Sequence, residues 1–199
     1  MKYGKLNLEQ VEAVVNKLGG MEGVERFLSG ETVIKEVECK LKIWKTVKLG
    51  TGLKTADDFR RALLDGGFKT SYWASDILGE PAFTVATEET EVDLVKVTVG
   101  ELGFKKVARR GQIYERAREL GLELCPSEVC PQLRLQYQDQ PNGEQIAVAM
   151  EPILDSTDGY PKIFGVECSD SGLWLSGFFG HPDNVWNPNN QWVFCRPRK

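Results

Sequence analysis

Gly172-Leu173-Trp174-Leu175-Ser176-Gly177-Phe178-Phe179 and Gln191-Trp192-Val193-Phe194-Cys195-Arg196 decide the fold class. Both runs are short, apolar and aromatic, and both are bounded by turn chemistry. Ser169-Asp170-Ser171-Gly172 precedes the first, and the loop His181–Gln191, rich in proline and amide side chains and the better candidate for ligand contact, leads into the second. Runs of this composition and punctuation read as β-strands. Working backwards, Gln145–Met150 reads as a strand, Asp155–Gly159 as a turn, and Ile163–Glu167 as the partner strand. Turn signals at regular short spacing predict a small antiparallel meander at the C-terminal end.

The other end is helical. Asn7 and Gln10 have the spacing of a capping box, and Leu8, Val11, Val15 and Leu18 fall on one helical stripe. Gly19-Gly20 stops that helix, and Met21, Val24, Phe27 and Leu28 form the apolar face of a second one that ends at Gly30. The pair predicts a helical hairpin. Between the ends lies a mixed segment. Thr32–Leu49 alternates like one or two strands with a wet face, and Thr55-Ala56-Asp57-Asp58 opens a helix that stops at Gly66-Gly67. Thr84–Glu91 is polar and acidic, and reads as a loop, a weak strand or a linker. Leu94–Val97 reads as a strand, Ile113–Leu120 as a helix, and Ser127-Glu128-Val129 as a helix start that must hold Pro131 in its first turn. The expected class is α+β. An N-terminal helical hairpin (1–30) is followed by a mixed middle segment (31–97) and an α+β domain with the C-terminal antiparallel β meander (98–199).

Composition narrows the function classes. The chain has 199 residues, 41% hydrophobic and 27% charged, with a formal net charge of −4. A chain of negative charge has no long-range attraction for nucleic acid or for an anionic membrane. No apolar run approaches a membrane span, and Met1–Lys5 leads directly into an amphipathic pattern, so cytoplasmic residence is expected. Five scattered cysteines agree with a reducing compartment and free thiols.

Several motifs invite chemistry, and each has a plainer reading. Lys105, Lys106, Arg109, Arg110, Arg116 and Arg118 form the one dense basic stretch, and the first four gather at a helix start that could cradle an anion. Glu115 and Glu119 interleave with it as in a solvated helix face, and a nucleic-acid-associated protein using Lys105–Arg118 is a rival reading. Cys125 and Cys130 have an allowable zinc spacing but lack two further closely spaced ligands, so no metal and no cofactor is expected. Asp155-Ser156-Thr157-Asp158-Gly159 resembles a calcium-loop fragment, yet Tyr160-Pro161 follows it, and a hairpin turn explains it. A cysteine-dependent hydrolase or transferase would need His181, the chain's one histidine, as its base.

The aromatic C-terminus carries the leading reading. Trp174, Phe178, Trp192 and Phe194 suit a sheet core, whereas Phe179, His181, Asn184, Trp186 and Asn187 suit a contact surface. Aromatic faces beside amides bind proteins, peptides or sugars. A non-catalytic binding or interaction protein is the function expected on these grounds.

Three stretches are also familiar as patterns: Leu8–Ala13 with Asn16–Glu31; Met150-Glu151-Pro152-Ile153 with Asp155, Asp158-Gly159 and Pro161; and Gly172–Leu175 with Pro182-Asp183-Asn184, Trp186-Asn187 and Trp192-Val193-Phe194. Together they resemble an uncharacterised family of hypothetical proteins from uncultured bacteria. The resemblance implies a bacterial origin and one co-inherited architecture. No activity is known for that family, so it assigns no role to any residue.

Overall fold

The computed structural model describes residues 8–31 and 41–198. In chain order the elements are α1 (Leu8–Lys17), α2 (Gly20–Leu28), β1 (Lys45–Leu49), α3 (Ala56–Asp65), β2 (Lys69–Thr70), α4 (Tyr72–Gly79) and β3 (Thr90–Thr98). They continue with β4 (Ala108–Arg109), α5 (Arg110–Glu119), α6 (Val129–Gln136), β5 (Gln145–Val148), β6 (Ile153–Leu154), β7 (Pro161–Ser169), β8 (Gly172–Phe179), β9 (Val185–Trp186) and β10 (Gln191–Arg196). The fold is therefore mixed α+β, and none of its described helices is long and apolar enough to cross a membrane. Contacts divide it into two units, 1–37 with the helices α1 and α2, and 38–199 with everything else. The cap of α1 at Asn7 and most of the strand pattern from Thr32 lie outside the described residues.

In the larger unit the strands run β1-β3-β10-β5-β7-β8-β2, and β6 pairs with β7. β5, β7 and β8 follow one another antiparallel. β10 does not continue that order. It lies antiparallel to β3 and parallel to β5. Its composition fits an interior place: Trp192, Val193, Phe194 and Cys195 are all buried, as in a strand covered on both faces of the sheet. The same pairing ties residues from before position 97 into one sheet with the C-terminal strands, because β1 and β3 belong to it.

The segment before β3 is anchored rather than free. Thr84 N donates to Ser127 Oγ (2.9 Å) and Ala86 N to Glu128 Oε2 (2.7 Å). Glu128 is itself almost wholly buried, and its other oxygen accepts from Gly50 N (2.8 Å) and Gln132 Nε2 (2.9 Å). One carboxylate thus fastens three separate segments. Pro131 sits in the first turn of α6, where its missing N–H costs no helical bond.

Trp174 departs from its expected place in the core. It is half-buried, its Nε1 donates to Ser171 Oγ (3.0 Å), and Lys69 Nζ lies 5.2 Å from its ring. β8 has only the two-residue strand β2 on that edge, so little chain is available to cover an indole there. Trp192 and Phe194, on the central strand, are buried as expected.

Candidate functional site

The turn after β6 builds one corner of the molecule. Asp155 Oδ1 accepts from Thr157 N (2.8 Å), Asp158 N (3.3 Å) and the Thr157 hydroxyl. The hydroxyl first, then those amides, hold the Asp155 carboxyl below the usual carboxylate range. Gly159 takes φ +64°, a conformation that favours glycine, and Tyr160 N donates to Asp158 Oδ1 (2.7 Å). From α4, Asp76 reaches across to accept from Ser156 N (2.8 Å) and Ser156 Oγ (2.5 Å). The sequence Asp-Ser-Thr-Asp-Gly is thus a self-bonded turn, and its first carboxylate is spent on its own backbone. Among the described residues no cluster of His, Cys, Asp or Glu could hold a metal ion.

This turn aims Asp158 and Tyr160 at Lys162, which is 0% exposed. Lys162 Nζ donates to Asp158 Oδ2 (2.9 Å) and lies 4.8 Å from the Trp73 ring, 4.9 Å from Phe179 and 5.1 Å from Tyr160. The strand register brings Phe179 on β8 directly opposite Lys162 on β7. Trp73 comes from α4, whose Ser71 cap accepts from Ala74 N (3.3 Å) and from Gly177 N of β8 (3.1 Å). Gly177 allows that approach, since a Cβ there would lie 2.7 Å from Trp73 Cβ. An ammonium walled by three aromatic faces is stabilised by their quadrupoles, and one carboxylate supplies its counter-charge. The Lys162 side chain thereby joins Trp73, Tyr160 and Phe179 into one packed corner.

The outer faces of the cage form an exposed aromatic surface. Phe179 is 46% exposed and Tyr160 beside it is exposed too, as are Tyr72 next to Trp73 in α4 and Leu154 opposite Pro161. Ring centroids lie 4.9 Å apart for Trp73–Phe179, 5.5 Å for Tyr160–Phe179 and 5.8 Å for Tyr160–His181. The Tyr160–Phe179 planes cross at 85°, so the surface offers edges and clefts and not one flat plate. His181 Nδ1 accepts from Asp183 N (3.2 Å).

Five residues expected on one contact surface divide into two groups. Phe179 and His181 belong to the corner described above. Trp186 lies against Trp192 (4.4 Å) and Phe178 (6.0 Å), and Asn184 faces α5 through its carbonyl, which accepts from Arg110 N (2.8 Å). Strand alternation explains the split, because Phe178 and Phe179 project to opposite faces of β8. Asn187 closes a turn with Asn190. Sequence reading misses Trp73, Tyr160 and Lys162. A signal existed for the last, since Asp158 and Lys162 are spaced to meet across a tight turn.

The basic stretch does not converge either. Lys105, Lys106 and Arg109 are exposed, whereas Arg110 is buried. Arg109 pairs with Asp183 (3.5 Å), and Arg116 with Glu119 (2.7 Å). The first amides of α5 are occupied too, because Arg110 N donates to Asn184 O and Gly111 N to Pro182 O (2.9 Å). Burial pushes the Cys125 and Cys130 thiols up, which keeps them protonated. Cys168 pairs with Leu173, six residues along β7 from Lys162, or about 20 Å at the rise of a strand, and so far from the His181 corner. Cys39 lies outside the described residues. Compared with protein-family models, curated proteins and solved structures, the chain matches none, and the aromatic corner stands on its own geometry.

Proposed function

We propose that the protein is a non-catalytic recognition module that docks a partner protein or peptide on the corner made by Tyr72, Trp73, Tyr160, Phe179 and His181. The observation that carries this reading is the Lys162 cage. A lysine with no solvent exposure holds three aromatic side chains, from α4, β8 and the turn before β7, while leaving their outer surfaces open. Rigid, partly exposed aromatic side chains are what interface anchors are made of, since little entropy is lost when they bind.

The charges nearby select the partner. Glu151 is exposed and makes no ion pair among the described residues, whereas the exposed Asp158 and Asp183 are shared with Lys162 and Arg109. Tyr72 and Asp76 also line a pocket of ≈330 Å³ with Arg60, Ser75, Gly79 and Glu80. Arg60 is already paired with Asp57 (2.8 Å), so the pocket's remaining charge is acidic. The matching occupant is a peptide segment with an apolar or aromatic anchor beside a lysine or arginine. The crossed ring planes favour such a side chain over the flat face of a sugar.

In the same reading the N-terminal helices form a hairpin, the β5–β7–β8 strands are the kept part of a C-terminal meander, and the protein is a cytoplasmic member of a bacterial family. The test is selection from a displayed peptide library on the full chain, followed by titration of selected peptides against variants. Selected peptides should share an aromatic–basic pair, and Phe179→Ala and Tyr160→Ala should each weaken binding about tenfold or more. Leu64→Ala, on an exposed residue of α3, should leave it unchanged. Peptides whose affinity ignores Phe179→Ala and Tyr160→Ala would refute the reading.

A further inference from the structure

We propose that the protein holds a ligand carboxylate beneath the 181–191 loop, with Arg110 as its anchor. Arg110 is only 8% exposed, yet its Nε has no hydrogen-bond partner. The loop's one carboxylate, Asp183, pairs with Arg109 instead. Among the described residues Arg110 makes no ion pair, and its guanidinium lies 4.5 Å over the Tyr114 ring. A guanidinium keeps its charge at every accessible pH, so burying it without a counter-charge is costly unless something absent from the chain supplies one.

Its surroundings repeat the same deficit. Trp186 Nε1 and Trp192 Nε1 are also buried without acceptors, and Gln191 Oε1, at the end of the loop, is buried without a donor. The rings are continuous, with Tyr114–Trp192 at 5.6 Å and Trp192–Trp186 at 4.4 Å. The β4–β9 ladder pairs Ala108 with Trp186 and Arg109 with Val185, and the Arg110 N to Asn184 O bond extends it by one residue. Residues opposite each other in such a ladder share a face, so half-buried Asn184 stands at the same side as Arg110. A guanidinium and indole N–H groups donate and cannot accept. Three of these four unpartnered atoms are donors, so a group that only accepts answers most of them. Water would satisfy the indoles but leave the cation unpaired. A carboxylate answers both needs, and its planar pair of oxygens matches the guanidinium fork. The helix α5 adds a favourable dipole and few free donors, since its first amides are already bonded to the loop. The site is independent of the aromatic corner, because it lies on the Phe178 side of β8.

The carboxylate can come as a small free acid or as the terminal carboxylate of a peptide. The test titrates the full chain with benzoate, with N-acetyl-glycyl-phenylalanine and with its amide, at constant ionic strength set by chloride, following tryptophan emission and the thermal midpoint. A saturable response to benzoate identifies a free acid, and a response to the dipeptide acid alone identifies a chain terminus. The amide should give none. Arg110→Lys keeps the charge but loses the fork, and should weaken binding about tenfold. Arg110→Met should abolish it, while leaving the urea midpoint of the ligand-free protein unchanged or raised. If Arg110 variants do not fold, Asn184→Ala at the half-exposed rim should still weaken binding severalfold. Equal responses to the acid and the amide, to chloride, or to inorganic phosphate would overturn the assignment, as would binding that survives Arg110→Met.

Discussion

Lys162 and Asp158 form a pair whose two halves should respond very differently to removal. Asp158→Asn keeps an oxygen for Tyr160 N but places an amide donor against Lys162 Nζ and removes the lysine's counter-charge. Stripping the partner from a buried charge costs about 3–5 kcal/mol, but Asp158 is 48% exposed and water screens part of that, so about 2 kcal/mol is expected. In a unit of this size that lowers the thermal midpoint by about 4–8 °C. Lys162→Met removes the charge and keeps the unbranched chain against Trp73, Tyr160 and Phe179. The ammonium's lost cation–π attraction, about 0.5–2 kcal/mol, is offset by the desolvation it no longer suffers, and the net change should stay within about 1 kcal/mol. Adding Asp158→Asn to Lys162→Met should then cost almost nothing. Urea unfolding of the four proteins closes the cycle. A larger loss from Lys162→Met alone than from Asp158→Asn, or two losses that simply add, would refute the role of Asp158 as counter-ion to a buried ammonium.

Other expectations are narrower. Gly177→Ala should destabilise by about 1–3 kcal/mol and shift Trp73 emission, because the new methyl meets Trp73 Cβ and pushes α4 off β8. Glu128→Gln should cost about 3 kcal/mol in urea unfolding, since an amide cannot accept from Gly50, Ala86 and Gln132 together. Asp155 has a lowered folded pKa, so its contribution is present above the unfolded value and lost as pH falls through the folded one; Asp155→Asn should flatten the acid limb of stability against pH below the ordinary carboxylate range. Burial raises Tyr114 to about 12, so stability should be full below the unfolded tyrosine value and decline as pH rises towards 12, with Tyr114→Phe removing that decline.

How far the sequence reveals this molecule depends on how local the deciding physics is. Helix stops at Gly66-Gly67, the tolerance of Pro131 in a first turn and the turn at Asp155–Gly159 all follow from a few adjacent residues, and they are legible. The partner strands of β10 are not, because continuous burial says only that both faces are covered and nothing of which strands lie alongside. The candidate site divides in the same way. Phe179 and His181 announce themselves as aromatic residues beside a turn. Trp73 lies far from them in the chain, and only Gly177 and the Ser71 cap bring it into place. Lys162 hides best of all, since a lysine in a strand normally signals a wet face. It is dry here because the turn that resembles a calcium fragment carries its second aspartate to the ammonium instead of to a metal. The same acidic motif that falls short as a metal loop thereby acts as the counter-ion of an internal cation. That exchange explains why the aromatic residues around it can be both rigid and partly exposed: their inner faces are fixed by a charge, which leaves the outer faces unused by the core.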